Sequence, residues 1–333
     1  MLETILAVLA IPSARLADIH DQFGLASLVC GFAFGALWYC LRRPRRPLRR
    51  LRAYLAASFP KRLLLHRSTL LDIKLFFLST ILMGTGLIFQ FVSGGKMAGA
   101  TEFQLEALLG ASPFRMESSV AVAVGMTLLF LLFLDLAYWI AHWLMHRYTA
   151  LWEFHKLHHS AEVLTPLTEW RQHPVELFLF PMSNAIVMGT FYGLAGYLFG
   201  PSARPYSWLE MNVLMAAFMF TTLHLRHSHF WLPTTGWLGH LIQSPAHHQI
   251  HHSEQEQHFG KNLGLFLSVW DWAFGTLHIP SKHEVLTFGI GEEGREHSGA
   301  LMGYWLPVRN AWRHAAGRPA APERAPGEAL NRA

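Results

Sequence analysis

Long apolar blocks, separated by polar or strongly basic stretches, leave this chain few folds to choose from. A helix needs about 20 mostly apolar residues to cross a bilayer. Residues 23–41, 73–92, 119–139 and 177–199 meet that length, and residues 209–223 form a shorter fifth block that suits a crossing, re-entrant or interfacial helix. Composition agrees: 52% of the 333 residues are hydrophobic and 15% are charged, against roughly 25% charged in an average soluble domain. The chain therefore reads as an all-α, polytopic membrane protein with four to five spanning or re-entrant helices. The start does not read as a secretory leader, because Glu3 stands where a basic region belongs. Cys30 and Cys40 share the first apolar block and imply neither a disulfide framework nor a thiolate metal site.

Charge sets the expected orientation. Residues 42–67 hold ten Lys and Arg and no acid, and such a stretch between spans faces the cytoplasm. Anionic headgroups are a better partner for it than nucleic acid. Threading five crossings from there puts every clustered histidine on the cytoplasmic side. Only Arg15, Lys96, Arg115 and Arg204 of 27 basic residues stay outside. Four crossings would split the histidines across the membrane. Three regions follow: residues 1–118 with the first membrane helices and the basic loop, 119–280 with the chemistry, and 281–333 as a cytoplasmic tail, disordered from about Ala315.

Of 21 histidines, 15 lie between His142 and His258. His142 and His146 are four apart and share a helix face. His155-x-x-His158-His159 and His248-x-x-His251-His252 each group three rings on one helical side. Packing gives no reason for imidazoles at these spacings. One zinc takes about four protein ligands, so eight histidines point to two metals. His227 and His224 are further candidates. Imidazole shells suit iron, zinc, copper or nickel. The pattern lacks a ferritin-like Glu-x-x-His pair and a His-Glu-x-x-His helix. His229, His240, His247 and His258 read as bystanders, and His20, His66, His278, His283, His297 and His314 as ordinary.

Between about Leu134 and Leu277 the chain resembles the fatty acid hydroxylase/sterol desaturase superfamily of membrane non-haem di-metal enzymes. The resemblance is carried by Asp135, Tyr138, Trp139, His142 and His146. It continues through Leu151-Trp152-x-Phe154-His155-x-x-His158-His159-Ser160, Arg171-x-His173-Pro174-x-Glu176 and His227-Ser228. It ends with Ser244-Pro245, His248-x-x-His251-His252-Ser253, Asn262-x-Gly264 and Trp270-Asp271-x-x-Phe274-Gly275-Thr276. Two positions depart from the usual pattern: Trp143 in place of Arg, and His229 in place of Asn. The resemblance implies a cytoplasmic helical cap over a bundle of spans, with two iron ions and O₂ as co-substrate. Zinc could fill the site in a heterologously produced form.

The activity so implied is hydroxylation, or desaturation, at a C–H bond of a membrane lipid, sterol or fatty acyl chain. The eight box histidines and His227 are the expected ligands, with His224 a tenth and His173 either a ligand or a support. Asp135, Asn262 and Asp271 are expected to orient ligands through hydrogen bonds. The chain shows no dinucleotide or haem-attachment motif, so electrons are expected from an external ferredoxin or cytochrome b5 with its reductase. Alanine, arginine and the short chain lean towards a bacterial inner membrane. Two other functions fit less well: a zinc or mixed-metal lipid hydrolase or isomerase, and a metal transporter. Transporters place their ligands near the membrane midplane, whereas these histidines lie beyond span ends.

Overall fold

The computed structural model describes residues 2–19, 21, 24–41, 47–85, 93–112, 119–200, 204–280, 283–297 and 299–317. Among these, α1 (Leu2–Ala17), α2 (Leu25–Leu41), α3 (Pro47–Ser58), α4 (Lys61–Leu64), α5 (Arg67–Gly84) and α6 (Gly94–Leu109) precede the histidine-bearing region. That region contains α7 (Val120–Arg147), α8 (Thr149–His159), α9 (Pro174–Phe199), α10 (Val213–Met219), α11 (Gly236–Leu241), α12 (Pro245–His251) and α13 (Val269–Ala273). α14 (Ala300–Ala315) lies inside the segment read as a tail. Residues 318–333, the rest of that segment, lie outside the described residues.

Among the described residues, α7 and α9 are long and apolar enough to cross a membrane. Their lengths of 28 and 26 residues correspond to roughly 42 and 39 Å, beyond a hydrocarbon core of about 30 Å. Each begins at a polar cap. Ser119 accepts a hydrogen bond from Val122 N to start α7, and His173 accepts one from Val175 N to start α9, with Pro174 in the first turn. The first expected span appears as α2, apolar but only 17 residues long. The second appears as α5, which starts earlier than expected because His66 caps it; residues 86–92 of that block lie outside the described residues.

The fifth block is broken into short elements. It opens on a hairpin of β1 (Ser207–Trp208) and β2 (Met211–Asn212), followed by the seven-residue α10 and a 3₁₀ turn at Leu223–Leu225. Seven residues rise about 10 Å, too little for a crossing. The cause is local. Asn212 caps α10, and its amide donates to Thr127 O of α7 while Thr127 Oγ1 accepts from Tyr206 N. The chain is thus pinned partway along α7, roughly 22 Å from His142. Among the described residues it then returns to the histidines without forming a further helix long enough to cross.

Packing explains why the two long helices stay together. Met126, Met188, Phe191 and Ala195 form their shared core, and Ser183 Oγ donates to Ala137 O at 2.7 Å. α6, between the second and third apolar blocks, lies in a groove of small residues on α9. A Cβ on Gly189 would meet Met97 Cβ at 2.6 Å, and one on Gly193 would meet Ala98 O at 2.5 Å. Such close backbone approach is how helices associate where water supplies no driving force.

α5, α8 and the 3₁₀ helix at Pro166–Trp170 meet at one guanidinium. Arg171 donates to Asp72 Oδ1 at 2.7 Å, Ser160 Oγ at 3.0 Å and Ser68 O at 2.7 Å, and Thr168 Oγ1 donates to the same aspartate. Both charged groups are buried. α14 covers the outer face of α8, with Gly303 against Leu157 and Asn310 donating to Glu153. Removing one partner of a buried pair costs about 3–5 kcal/mol. Arg171→Ala is therefore expected to lower unfolding free energy by that order, read by thermal unfolding in detergent; an unchanged midpoint would contradict the role assigned to this pair.

Candidate metal centre

Nine histidines converge at the end of α7 and the start of α9, in two groups. His142, His146, His155, His159 and His251 form one; His158, His227, His248 and His252 form the other. Within each group one nitrogen per ring lies within 4.8 Å of the rest, and all nine rings are buried. The helical spacing decides the split. His142 and His146 on α7, and His155 and His159 on α8, are i,i+4 pairs that face the first group. His158, one residue off that face, enters the second. At the C-terminal end of α12 the pattern inverts: His248 and His252 face the second group and His251 the first. Each triplet therefore bridges both groups.

Hydrogen bonds on the outer ring nitrogens fix which nitrogen points inward. His142 Nδ1 donates to Leu263 O at 2.7 Å, and His251 Nδ1 to Lys261 O at 2.8 Å. His155 Nδ1 donates to Glu176 Oε2 at 2.6 Å, and His227 Nδ1 pairs with Glu169 Oε2 at 2.9 Å. Carbonyls and carboxylates can only accept, so each of these rings, when neutral, presents a bare lone pair at Nε2. The Nε2 atoms crowd together inside each group. His142 Nε2 and His155 Nε2 lie 3.1 Å apart. His227 Nε2 lies 2.9 Å from His252 Nε2 and 3.0 Å from His248 Nε2. At His142 and His155, whose Nδ1 atoms both donate, two lone pairs at that distance repel unless a cation sits between them.

Protons are a poor cation here. Burial drives His155, His158, His159, His248 and His252 well below the usual histidine value, and His251 down to about 3. Buried inner nitrogens of His146, His159 and His251 have no hydrogen-bond partner. A donor set of neutral imidazoles with carboxylates and carbonyls behind them fits first-row transition metals.

Glu169 and Glu176 hold the ligands, and sequence reasoning had given neither a role. Burial alone would raise the Glu169 carboxyl, but His227 and Arg226 beside it hold it below the usual carboxylate range. Glu176 Oε1 accepts from His173 N at 2.9 Å while its other oxygen takes His155. The cap of α9 is thus also the clamp on a ligand. A Glu three residues after a helix-starting His-Pro is a capping signal in the sequence; nothing in the sequence marks its reach to His155.

Two expected ligands stand apart. His173 spends one ring nitrogen capping α9 and the other on Tyr304 O at 3.0 Å, so it supports Glu176 and reaches no metal group. His224 Nε2 lies 3.0 Å from Ser27 Oγ on α2, outside both groups. The three expected supports act through backbone. Asp271 Oδ1 and Oδ2 accept from Leu263 N and Gly264 N, fixing the residue whose carbonyl holds His142. Gly264 is required there, since a Cβ would meet Leu267 O at 2.4 Å. Asp135 Oδ1 accepts from Phe266 N and Leu267 N rather than from a ligand ring. Asn262, at φ 57°, brackets His278 through its backbone N and O. A further neighbour went unforeseen: the buried Arg226 guanidinium lies 3.2 Å from His248 Nε2 and donates to Tyr138 OH.

Residues 127–276, which contain all nine converging histidines, match the fatty acid hydroxylase family. That match and the curated relatives support the resemblance of this region to the fatty acid hydroxylase/sterol desaturase superfamily. Curated relatives include alkylglycerol monooxygenase of Danio rerio, 29% identical over 47% of this chain and 32% of that protein. The ornithine lipid hydroxylase OlsE of Rhizobium tropici is 28% identical over 46% and 41%. Lathosterol oxidase of Mus musculus is 30% identical over 46% of each chain. The matched region thus spans between about a third and a half of these relatives. No solved structure matches the chain.

The depressed histidines make metal-free protein acid-sensitive. Their folded values lie below the unfolded value of about 6.5, so below that pH the unfolded chain binds more protons and stability falls. Chelator-treated protein is expected to hold a constant unfolding midpoint above about pH 7 and to lose it progressively on acidification from pH 6.5 towards the value of about 3 at His251. A flat profile down to pH 5 would contradict the burial assigned to these rings.

Proposed function

We propose that this chain is an O₂-dependent di-iron oxygenase acting on a C–H bond of a membrane lipid, sterol or fatty acyl substrate, with hydroxylation favoured over desaturation. The observation that carries the reading is the pair of inward-facing lone-pair groups, five and four nitrogens strong. Five and four imidazoles suit two metals of the iron–zinc series. Bound iron would supply the redox chemistry that activates O₂, which side chains lack. The family relatives named above, two hydroxylating enzymes and a sterol oxidase, favour iron over a hydrolytic zinc pair.

The chain's own residues provide the setting. Tyr138 stacks on Phe180 at 4.8 Å, and both rings lie against His142. They form an apolar wall between α7 and α9, where an acyl or sterol body would approach from the bilayer. On the opposite side a cavity of about 650 Å³ reaches His146, His159, His251 and His252, and Lys156, Glu254 and Glu292 line its rim. Those charged residues suit a headgroup. Glu169 and Glu176 keep His227 and His155 in their metal-binding tautomer and orientation. The orientation we propose puts this cap and the basic stretch in the cytoplasm, on the ten basic residues and no acid in residues 42–67. Electrons would come from an external ferredoxin or cytochrome b5 system.

Protein purified without oxygen is expected to carry two irons per chain. Lipid extracts from producing cells should show a species with one added oxygen, or two fewer hydrogens, that is missing in cells making His155→Ala. Product formed without O₂ or reductant would overturn the oxygenase reading. Glu169→Gln is expected to weaken metal binding at the four-histidine group by about 10–100-fold and to leave the five-histidine group loaded, as read by competition with a chelator of known affinity.

A further inference from the structure

Outside the nine-histidine centre, a third set of ligand-type atoms converges. His258, His278 and Glu284 each bring one such atom within 4.8 Å of the others. We propose that these three residues bind a third metal ion, a zinc-class divalent cation, separate from the two groups above. The site stands whether or not the oxygenase reading holds.

Spacing supports it first. Zinc bonds to His nitrogen and carboxylate oxygen run about 2.0–2.2 Å, and tetrahedral angles then put neighbouring ligand atoms about 3.3–3.6 Å apart. His258 Nε2 lies 3.4 Å from Glu284 Oε2, and His278 Nε2 lies 3.9 Å from Glu284 Oε1. The two imidazoles meet edge to face with centroids 5.0 Å apart, an arrangement that lets both nitrogens reach one point. A small closure by Glu284 or His278, which are 20% and 32% exposed at their side chains, completes the geometry.

Burial supports it second. His258 is fully buried, and its Nδ1 has no hydrogen-bond partner. Its Nε2 lies 3.3 Å from Gln257 Nε2 and faces Glu284 Oε2 at 3.4 Å. Two histidines and a carboxylate, with one side open to solvent for a water, form the three-ligand set that zinc uses when it keeps a free position.

The frame around the site is built. Asn262 Oδ1 accepts from His278 N at 2.8 Å and its amide donates to His278 O at 2.9 Å. Lys261 N donates to His258 O at 3.2 Å. Glu254 N donates to Thr287 O, and Gln255 Nε2 to Val285 O, tying the segment of Glu284 to the end of the third histidine box. Lys261 O is also the acceptor for His251 Nδ1. An ion at His258, His278 and Glu284 would therefore clamp the loop that orients one ligand of the five-histidine group.

The test uses full-length protein in detergent, stripped by chelator and titrated with Zn²⁺, with bound metal counted per chain after desalting. Wild type is expected to take up three equivalents and His278→Ala/Glu284→Gln two. His142→Ala/His155→Ala should lose zinc from the five-histidine group yet keep the ion at the new site, so failure of one site is distinguishable from failure of the other. An equal count in wild type and His278→Ala/Glu284→Gln, meaning that the triad is an ion pair only, overturns the proposal; both positions are partly exposed, and the single Glu284→Gln provides the same readout with less risk to folding.

Discussion

Opposed lone pairs in a buried space are the constraint on which this structure turns. His142 and His155 each give their outer nitrogen to an acceptor, so their inner nitrogens face each other bare at 3.1 Å. His227 is turned inward in the same way, its outer nitrogen meeting Glu169 Oε2 at 2.9 Å. Neutral imidazoles so arranged gain nothing from one another. Only a cation makes the arrangement favourable, and burial makes protons the costly choice. The remaining architecture can be understood as holding nine rings in a geometry that they would not adopt for their own sake.

That holding is done by a few buried charges that each join distant segments. Asp271 ties the Leu263–Gly264 backbone and the Trp139 indole to one carboxylate. Asp135 takes Phe266 and Leu267 from the same loop to the middle of α7. Arg171 draws α5 to the end of α8 through Asp72 and Ser160. Buried charges of this kind add little when complete and cost much when broken. Their effect is positional: they fix the carbonyl of Leu263, and through it the tautomer of His142.

Much of the centre was legible beforehand, because helix geometry turns sequence spacing into a shared face. The pairs His142/His146 and His155/His159, and the two triplets, land together as their spacing requires. His173 and His224 were not separable by spacing, since nothing local says that one caps a helix and the other meets Ser27. Hydropathy likewise located the block at residues 209–223 but not its path, which Asn212 and Thr127 set by pairing across elements. Glu169 stayed invisible because its partner, His227, lies far along the chain.

The sequence by itself determined that the chain is largely helical with long apolar blocks, and that eight histidines stand at spacings that group their rings, because hydrophobic length and 3.6-residue periodicity act locally. Only the tertiary structure decided how the rings divide into five and four, which nitrogen each turns inward, and which carboxylates stand behind them. Those are consequences of long-range packing: a tautomer is set by whichever acceptor the fold brings to the outer nitrogen, and no local pattern in the chain encodes that meeting.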